Sequence, residues 1–262
     1  MNTKRNYCVP QTKGGVGKSV LSTHVIPMIY KDEDDIKVNI FELDNNNKSS
    51  LSNSKLHFKT FKIDKSEEAI NKVYFDLVTN NNEVNIIDCG GGDDTIAVLD
   101  YIKKIDMKDI VYIIPVNDDI EQFDNVVETI KAIKEIDKKA EIHIFFNRCN
   151  DLTEDSVKKQ FVGFFGSDVY NIESKIEKIF KDVKSFAFVP NSPLFGILKS
   201  HKISLYDSYK SSKDLVENIV TYRQKWAKEG QEVFNNNIAK FRFAKDILEL
   251  IDNLTIINKI KG

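Results

Sequence analysis

A glycine-rich heptapeptide, KGGVGKS at residues 13–19, constrains this chain more than any other stretch. It follows a short apolar run and precedes a segment of helical periodicity. Gly14, Gly15 and Gly17 allow positive φ, so that successive backbone N–H groups can point toward one anion. The following helix, predicted over about 18–30, adds the positive end of its dipole. The heptapeptide therefore predicts a phosphate-binding loop between a strand and a helix.

Two polar side chains complete this predicted phosphate-binding loop. Lys18 occupies the position from which a P-loop lysine reaches the β- and γ-phosphates of a nucleotide. The hydroxyl of Ser19 is placed to bind the Mg²⁺ ion that accompanies those phosphates. A flexible turn with two solvated lysines is the alternative, but such a turn does not require the flanking strand and helix. The predicted nucleotide-binding residues of the loop are Gly14, Gly15, Val16, Gly17, Lys18, Ser19 and Val20.

The loop departs from the general GxxxxGK(S/T) pattern, because Thr12 stands at the position of the first glycine. A second lysine, Lys13, directly precedes the two glycines. In this respect the loop resembles the deviant Walker A motif, KGGxGK(S/T), of the ParA/MinD family of ATPases. The resemblance extends over about residues 5–200.

The resemblance implies a slow, partner-stimulated ATPase that converts ATP to ADP and phosphate, with ATP and Mg²⁺ as its cofactors. It also implies a homodimer that forms on ATP binding. In such a dimer Lys13 crosses the interface and contacts the phosphates held by the partner subunit, whereas Lys18 acts in its own subunit. Lys13 and Lys18 are therefore expected to be catalytic, together with a carboxylate after the second predicted strand.

That carboxylate is Asp44, which follows the apolar strand predicted over 37–43 and precedes a polar run. Open parallel sheets bind their ligands at the carboxyl ends of strands. The ParA/MinD segment here reads DxD, and the resemblance implies that Asp44 orients the attacking water. Glu42 replaces the first aspartate, so its role stays open, and a turn-capping aspartate is the alternative for Asp44. The DPQ sequence of the partition branch is absent, because Asn45 and Asn46 follow.

A second carboxylate ends the strand predicted within EVNIIDCGGGDD at residues 83–94. Asp88 occupies the Walker B position, from which an aspartate binds Mg²⁺, commonly through a water, opposite the Ser19 hydroxyl. We expect Ser19 and Asp88 to be the metal ligands. Three glycines follow, and the turn around Gly91 is predicted to approach the γ-phosphate. An ordinary turn after a strand is the alternative.

Two further nucleotide-binding residues are implied by the resemblance alone. Asn147 lies near the end of the strand predicted over 142–149, where family members often use an asparagine to hydrogen-bond adenine. Pro190 ends the strand predicted over 186–190, and the backbone around it would complete the base pocket. Asparagine is also an ordinary turn residue, so a structural role for Asn147 stays open.

Apolar runs and segments of helical periodicity alternate from residue 5 to about 190. Strands are predicted at 6–11, 37–43, 56–63, 83–88, 110–116, 142–149 and 186–190, and helices at 18–30, 66–79 and 119–136. This alternation indicates an α/β fold with a doubly wound, mostly parallel sheet flanked by helices, as in P-loop NTPases. A C-terminal extension of two or three helices is predicted over about 203–262. We expect a single domain, 1–262, with its core at about 5–200.

Composition excludes several classes of protein. A net charge of −2 over 262 residues is not the balance of a strongly basic nucleic-acid-binding protein. The chain has no run of about 18 apolar residues and no apolar signal core at its start, so a cytoplasmic protein is expected. Cys8, Cys89 and Cys149 are widely spaced within apolar strands, which favours buried thiols over disulfides or a metal site.

The second half of the chain carries an excess of basic residues, and this excess bears on what the protein binds. A DNA-facing surface of the dimer is one interpretation, and a solvated lysine-rich face is the other. The candidate residues are Lys199, Lys202, Lys210, Lys213, Arg223, Lys225, Lys228, Lys240, Arg242 and Lys245. We expect non-specific DNA binding, segregation or positioning of a plasmid or other DNA cargo, association with the nucleoid, and a small DNA-binding adaptor protein that stimulates hydrolysis.

Two other functions stay open. A MinD-like membrane-associated ATPase would require the apolar-striped segment from Ile247 to Ile260 to bind lipid. Asp246, Glu249 and Asp252 make this less favoured, because such helices usually carry Lys and Arg for anionic lipid. A conjugation or mobilisation accessory protein of the same fold would act mainly through protein contacts and hydrolyse little ATP.

Overall fold

The computed structural model describes residues 6–33, 36–43, 51–62, 66–79 and 83–254. Its strands are β1 Asn6–Val9, β2 Val38–Leu43, β3 His57–Phe61, β4 Val84–Cys89, β5 Ile110–Val116, β6 Glu141–Cys149 and β7 Ser185–Pro190. They form one sheet in the order β3-β2-β4-β1-β5-β6-β7. Every pair of neighbouring strands is parallel. The predicted doubly wound sheet is confirmed, and the strands described are all parallel rather than mostly so.

The central strands are buried along their length because helices cover both faces of the sheet. β5, with the sequence IVYIIPV, is buried at every position, as expected for a strand inside a parallel sheet. β3 lies at one edge, and its residues are exposed or half-buried. The predicted half-exposed edge strand is therefore confirmed. Polar residues on an edge strand reduce its tendency to pair with another chain.

Helices connect the strands and follow the last one. In chain order they are α1 Lys18–Val20, continuing as a π-helix Leu21–Val25 and a 3₁₀-helix Ile26–Tyr30, then α2 Ser66–Thr79, α3 Asp93–Lys104, α4 Gln122–Ile136, α5 Glu154–Gln160, α6 Val162–Phe165, a 3₁₀-helix Ile176–Ile179, α7 Leu194–Ser200, α8 Leu205–Glu217, α9 Ile219–Glu229 and α10 Gln231–Asp252. The helix predicted from residue 119 begins only at Gln122. The carboxylate of Asp119 accepts the backbone N–H of Glu121 and thereby holds a turn before the helix.

The first helix is less regular than predicted. The sequence predicts a helix over 18–30 with a kink at Pro27, whereas only its first turn is α-helical. Pro27 has no N–H, so the carbonyl of Thr23 loses its α-helical donor. The hydroxyls of Ser22 and Thr23 each donate to the carbonyl four residues earlier, a contact that often bends helices. The irregularity therefore begins upstream of the proline.

Two hydrophobic layers pack on opposite faces of the sheet. The first contains the residues after α1 together with α7, α8 and α10, and the second contains α2 to α6. Along β1, Tyr7 and Val9 belong to the first layer and Cys8 to the second, which is the alternation expected of a strand. Cys8, Cys89 and Cys149 are all buried free thiols, as predicted.

The C-terminal helices pack on the first of these layers. Ile247, Leu250 and Ile251 of α10 are buried in it, so this part of the apolar stripe is not available to bind lipid. Ile257 and Ile260, predicted to extend the stripe, lie outside the described residues. Within the described ranges, no helix is both long enough and apolar enough to cross a bilayer.

Candidate functional site

A cavity of about 230 Å³ lies at the carboxyl ends of β1, β2 and β4, the edge where parallel sheets bind ligands. The residues that line it are Gly14, Gly15, Gly17, Lys18, Ser19, Val20, Glu42, Asp88, Cys89, Gly91 and Arg148. Most of them are predicted site residues. The glycine-rich loop and the second carboxylate motif, far apart in the sequence, therefore meet at one place.

Gly17 turns the loop at a point where no side chain fits. Its φ is +101° and that of Gly15 is +74°, both in the left-handed region that favours glycine. A Cβ on Gly17 would lie 1.8 Å from Nδ2 of Asn147. Asn147 is buried and donates from Nδ2 to the carbonyl of Val16, at 2.9 Å. The carboxyl end of β6 therefore supports the loop directly, and the glycine is required both by its φ and by this close approach.

We expect Gly17→Ala to destabilise the protein, by about 1–2 kcal/mol from the left-handed φ alone and by more because Asn147 must move. Gly196→Ala in α7 is the matched control, because a Cβ there meets open space and φ is not positive. That control should stabilise the protein by roughly 0.5–1 kcal/mol. Urea unfolding followed by circular dichroism measures both values. A Gly17→Ala protein as stable as the wild type would contradict the Gly17–Asn147 contact.

The ammonium group of Lys18 lies against the loop itself. Its Nζ donates to the carbonyls of Gln11 and Lys13, each at 3.0 Å, and the residue is buried. Gln11 in turn donates from Nε2 to the carbonyl of Pro115 in β5, at 3.3 Å. These contacts hold a positive charge at the edge of the cavity, on a loop that is braced against the neighbouring strand.

Asp88 brings a buried carboxylate to the same cavity. The residue is only 5% exposed, and the hydroxyl of Ser19 hydrogen-bonds to its carboxylate. Oδ1 of Asp88 is buried without a hydrogen-bond partner among the described residues. The register of β2 and β4 pairs Glu42 with Asp88, so both carboxylates lie on one face of the sheet. Glu42 also accepts a hydrogen bond from the Thr60 hydroxyl, at 2.8 Å.

These oxygens fit a Mg²⁺ ion. Mg²⁺ prefers oxygen ligands and is usually bound by one or two carboxylates together with water and substrate phosphates. The Ser19 hydroxyl and the unpartnered Oδ1 of Asp88 offer such ligands, and Glu42 adds a second carboxylate nearby. The part of the chain that the structure describes holds no group of three or more His, Cys, Asp or Glu suited to a metal ion. With Lys18 and the loop glycines lining the same cavity, the site fits a Mg²⁺ ion that arrives with phosphates.

Burial raises the pKa of Asp88 to about 7. The hydrogen bond from Ser19 opposes this shift, the negative charge of Glu42 adds to it, and the positive charge of Lys18 opposes it. A pKa displaced this far by burial in a cleft is typical of functional sites.

We expect Asp88→Asn to stabilise the ligand-free protein at neutral and higher pH. The unfolded carboxyl titrates near 3.8, so between about pH 4 and 7 the native state binds more protons than the unfolded state, and stability falls as pH rises. The loss, on the order of 4 kcal/mol above pH 7, is absent in Asp88→Asn. Urea unfolding across this range should show the two proteins diverging as pH rises. A difference that does not change with pH would contradict the raised pKa.

The glycine turn after β4 contacts the phosphate-binding loop. A Cβ on Gly91 would lie 3.5 Å from Cα of Gly14. Thr95 of α3 is buried, and its hydroxyl lies 3.0 Å from the carbonyl of Gln11 and 2.6 Å from that of Gly90. The sequence does not single out Thr95, because a threonine in the first turn of a helix is common. Its contacts couple the glycine turn to the start of the loop.

Lys13 contacts a carboxylate of its own chain. Its Nζ forms an ion pair with Asp119, in the turn between β5 and α4. The two side chains are 32% and 37% exposed. Hydrogen bonds from Lys13 and from the backbone N–H of Glu121 hold the pKa of Asp119 below its usual range. The lysine expected to cross a dimer interface is thus paired within the single chain, and its role across an interface stays a prediction.

Asn147 and Pro190, predicted to bind adenine, do not line the cavity. Nδ2 of Asn147 donates to Val16, and Pro190 lies at the end of β7 beside Cys149. Asn147 therefore supports the loop, and its contact with adenine stays a prediction. Asp44, predicted to orient water, lies outside the described residues.

Arg148 lines the cavity although the sequence gives it no predicted role. It follows Asn147 directly and adopts a φ of +60°. No residue-type signal predicts this conformation, because it arises from an irregularity of β6. Cys89, which follows Asp88, also lines the cavity, and its Sγ lies 3.6 Å from that of Cys8.

No protein-family model and no curated protein sequence matches this chain. Similar solved structures include a variant of Cyanothece McdA in complex with ATP, at 11% identity and a TM-score of 0.49, over 78% of this chain and 90% of that chain. A plasmid partition protein from Borrelia burgdorferi has 13% identity and a TM-score of 0.43, over 76% and 96%. An LAO/AO transport system kinase has 14% identity and a TM-score of 0.41, over 96% and 70%.

The chain has the fold of a P-loop NTPase. Three features define it: the parallel sheet, the strand–loop–helix unit around Lys18, and Asp88 at the end of the adjacent strand.

Proposed function

We propose that this chain is a Mg²⁺-dependent ATPase of the ParA/MinD type, a switch that associates with a second copy on ATP binding and positions or segregates a DNA cargo. The observation that carries the proposal is the meeting of Lys18, Ser19 and Asp88 at one cavity beside a loop with positive-φ glycines. P-loop ATPases combine the same parts. The unpartnered Oδ1 of Asp88 supports a metal-bound ligand over a purely structural loop.

A few residues share the proposed tasks of binding phosphates, holding Mg²⁺ and orienting water. Backbone N–H groups of the loop and Lys18 bind the phosphates, and Ser19 and Asp88 would hold Mg²⁺. Bound Mg²⁺ supplies positive charge that neutralises the phosphate oxygens. Gly91 is proposed to lie next to the γ-phosphate, and Asp44 to orient the attacking water.

Asn147 and Pro190 are proposed to border the adenine. One N–H of Nδ2 of Asn147 already donates to the carbonyl of Val16, and the carboxamide oxygen is the acceptor that this side chain offers to the base. An amide oxygen accepts hydrogen bonds, so it would receive one from the exocyclic amino group of adenine. This contact would favour adenine over guanine, which carries a carbonyl at that position.

Self-association requires a change at the Lys13–Asp119 ion pair. To reach phosphates bound by a second copy, Lys13 has to leave Asp119. Partly exposed ion pairs contribute little stability, whereas contacts between an ammonium group and phosphate are strong charge-assisted hydrogen bonds. ATP offers more such acceptors than ADP. The ion pair would therefore favour the monomer until ATP is bound.

Loss of the ion pair should promote ATP-dependent dimerisation. We expect Asp119→Asn to lower the dimer dissociation constant by about twofold or more, because Lys13 no longer has a carboxylate in its own chain. Lys13→Ala should prevent dimerisation while ADP affinity is kept, and Lys18→Ala should lose ATP binding. Sedimentation velocity with a slowly hydrolysed ATP analogue measures dimerisation, and calorimetry measures the two affinities.

Asp124→Asn is the matched control for Asp119→Asn. It removes the same charge from an exposed position in the first turn of α4, and its dimerisation should equal that of the wild type. Equal gains in both variants would mean that net charge, not the ion pair, sets the dissociation constant. Equal losses of ADP and ATP binding in Lys13→Ala would contradict the interface role of Lys13.

DNA as the cargo is supported by the surface of the C-terminal helices. All ten basic residues considered for this role are exposed: Lys199, Lys202, Lys210, Lys213, Arg223, Lys225, Lys228, Lys240, Arg242 and Lys245. Acidic residues lie among them, so the attraction of one copy to DNA is weak. A dimer presents the surface twice, which raises the apparent affinity without any new contact. A small DNA-binding adaptor would then stimulate hydrolysis and release the dimer.

Two other functions are alternatives to DNA binding. A membrane-associated ATPase is less favoured, because Ile247, Leu250 and Ile251 of α10 are buried in the protein core. An accessory protein of conjugation or mobilisation would keep the same site but turn over little ATP. In neither alternative is DNA the surface that the ATP-bound protein binds: the first would bind a membrane, and the second would act through protein contacts.

DNA binding should need ATP and weaken steeply with salt, because phosphate contacts release counterions. We expect Asp44→Ala, which should hydrolyse ATP slowly, to co-sediment with duplex DNA and not with anionic liposomes. Adding Lys225→Glu and Lys228→Glu on α9 should abolish retention. The same charge reversal at Lys138 and Lys139, exposed in the turn before β6, is the control and should leave retention unchanged.

The other outcomes point to the alternatives. Retention on liposomes that is lost when residues 246–262 are deleted would favour the membrane-associated ATPase. Retention on neither surface would favour the accessory protein. Retention on DNA without ATP would contradict the switch.

A further inference from the structure

Arg148 has an unusual backbone conformation at the edge of the nucleotide cavity. Its φ is +60°, a region that non-glycine residues rarely adopt and that asparagine tolerates better than arginine. The residue is exposed and lines the same cavity as Gly17, Lys18 and Asp88. Residues kept in such a conformation cluster at functional sites, where the surrounding structure imposes it.

The surrounding structure imposes this conformation at two points. The ladder between β6 and β7 shifts register between Phe146 and Cys149, as in a bulge that redirects a side chain. Gln160, at the end of α5, then spans the irregular residues. Its Nε2 donates to the carbonyl of Arg148 and its Oε1 accepts the backbone N–H of Asn150, both at 2.9 Å. The side chain of Gln160 thereby holds both peptide groups that follow Arg148.

The guanidinium group of Arg148 is left available for a ligand. No hydrogen bond or ion pair connects it with the part of the chain that the structure describes. Guanidinium presents a planar set of donors that matches phosphate oxygens. An unsatisfied set of such donors at a cavity lined by Lys18 and the loop glycines is complementary to an anion.

We propose that Arg148 binds the nucleotide, donating to its α- and β-phosphate oxygens, and that Gln160 positions it. The inference rests on the proposed nucleotide site. Asn147, the residue before Arg148, packs against Gly17, whereas Gly91 packs against Gly14 at the other end of the loop. Arg148 therefore belongs to the end of the loop that leads to the α-phosphate, away from the γ-phosphate.

The test compares three substitutions at Arg148 by calorimetry with Mg-ATP and Mg-ADP. Arg148→Ala should lower both affinities by about tenfold or more, the usual effect of a lost hydrogen bond to a charged group. Arg148→Lys should lose less, since it keeps the charge but not the planar donors. Arg148→Asn should lose as much as Arg148→Ala, yet its melting temperature without nucleotide should equal or exceed that of the wild type, because asparagine adopts this φ more easily. A purely structural role for Arg148 predicts the reverse for Arg148→Asn, namely a lower melting temperature and unchanged affinity.

Gln160→Ala tests the positioning role. It should weaken both nucleotides less than Arg148→Ala does, and it should have no further effect in the Arg148→Ala background, because its effect acts through that side chain. Additive losses would overturn the positioning role. A loss confined to ATP, or no loss in Arg148→Ala when Lys18→Ala abolishes binding, would overturn the inference alone. A wild-type protein that binds neither nucleotide would overturn the proposed function as well.

Discussion

The close approach of β6 to the phosphate-binding loop is the constraint on which the site depends. Because Gly17 has no side chain, Asn147 can pack against the loop and donate to the carbonyl of Val16. That contact satisfies a buried carbonyl and holds the loop against the end of β6. The irregularity of β6 immediately after Asn147 then turns Arg148 toward the same cavity. The carboxyl end of β6 thus positions two parts of the site, the phosphate-binding loop and Arg148.

Buried charge makes the ligand-free site electrostatically incomplete. Lys18 satisfies its ammonium group on loop carbonyls, and burial brings the pKa of Asp88 to about 7, so the carboxyl is partly protonated near neutral pH. Oδ1 of Asp88 has no hydrogen-bond partner among the described residues. A ligand that carries a divalent cation together with anionic phosphates would supply that oxygen with a partner. Such a ligand binds the native state alone and would therefore stabilise it by mass action.

The fold and most of the cavity follow from local patterns in the sequence. Apolar runs predict all seven strands, and KGGVGKS with Asp88 predicts most of the lining, because phosphate binding requires those residue types in that order. The features that are missed depend on tertiary contacts. The ion pair joins Lys13 to Asp119, which lies far along the chain. The positive φ of Arg148 occurs where the pairing of β6 with β7 is irregular. The π-helical turn before Pro27 coincides with side-chain hydrogen bonds whose geometry no periodicity encodes.

The Lys13–Asp119 ion pair biases the proposed switch without deciding it. An exposed pair is weakened by salt and by competing water, so it shifts a two-state equilibrium only modestly. A ligand changes that equilibrium by the difference between its affinities for the two states. In the proposed switch, ATP favours the dimer more than ADP does, because it makes more contacts with Lys13 of a second copy. When ATP is not bound, the ion pair lowers the fraction of the protein that is dimeric. Its weakness is consistent with a reversible switch, because a fully buried pair would cost several kcal/mol to break and would oppose association even in ATP.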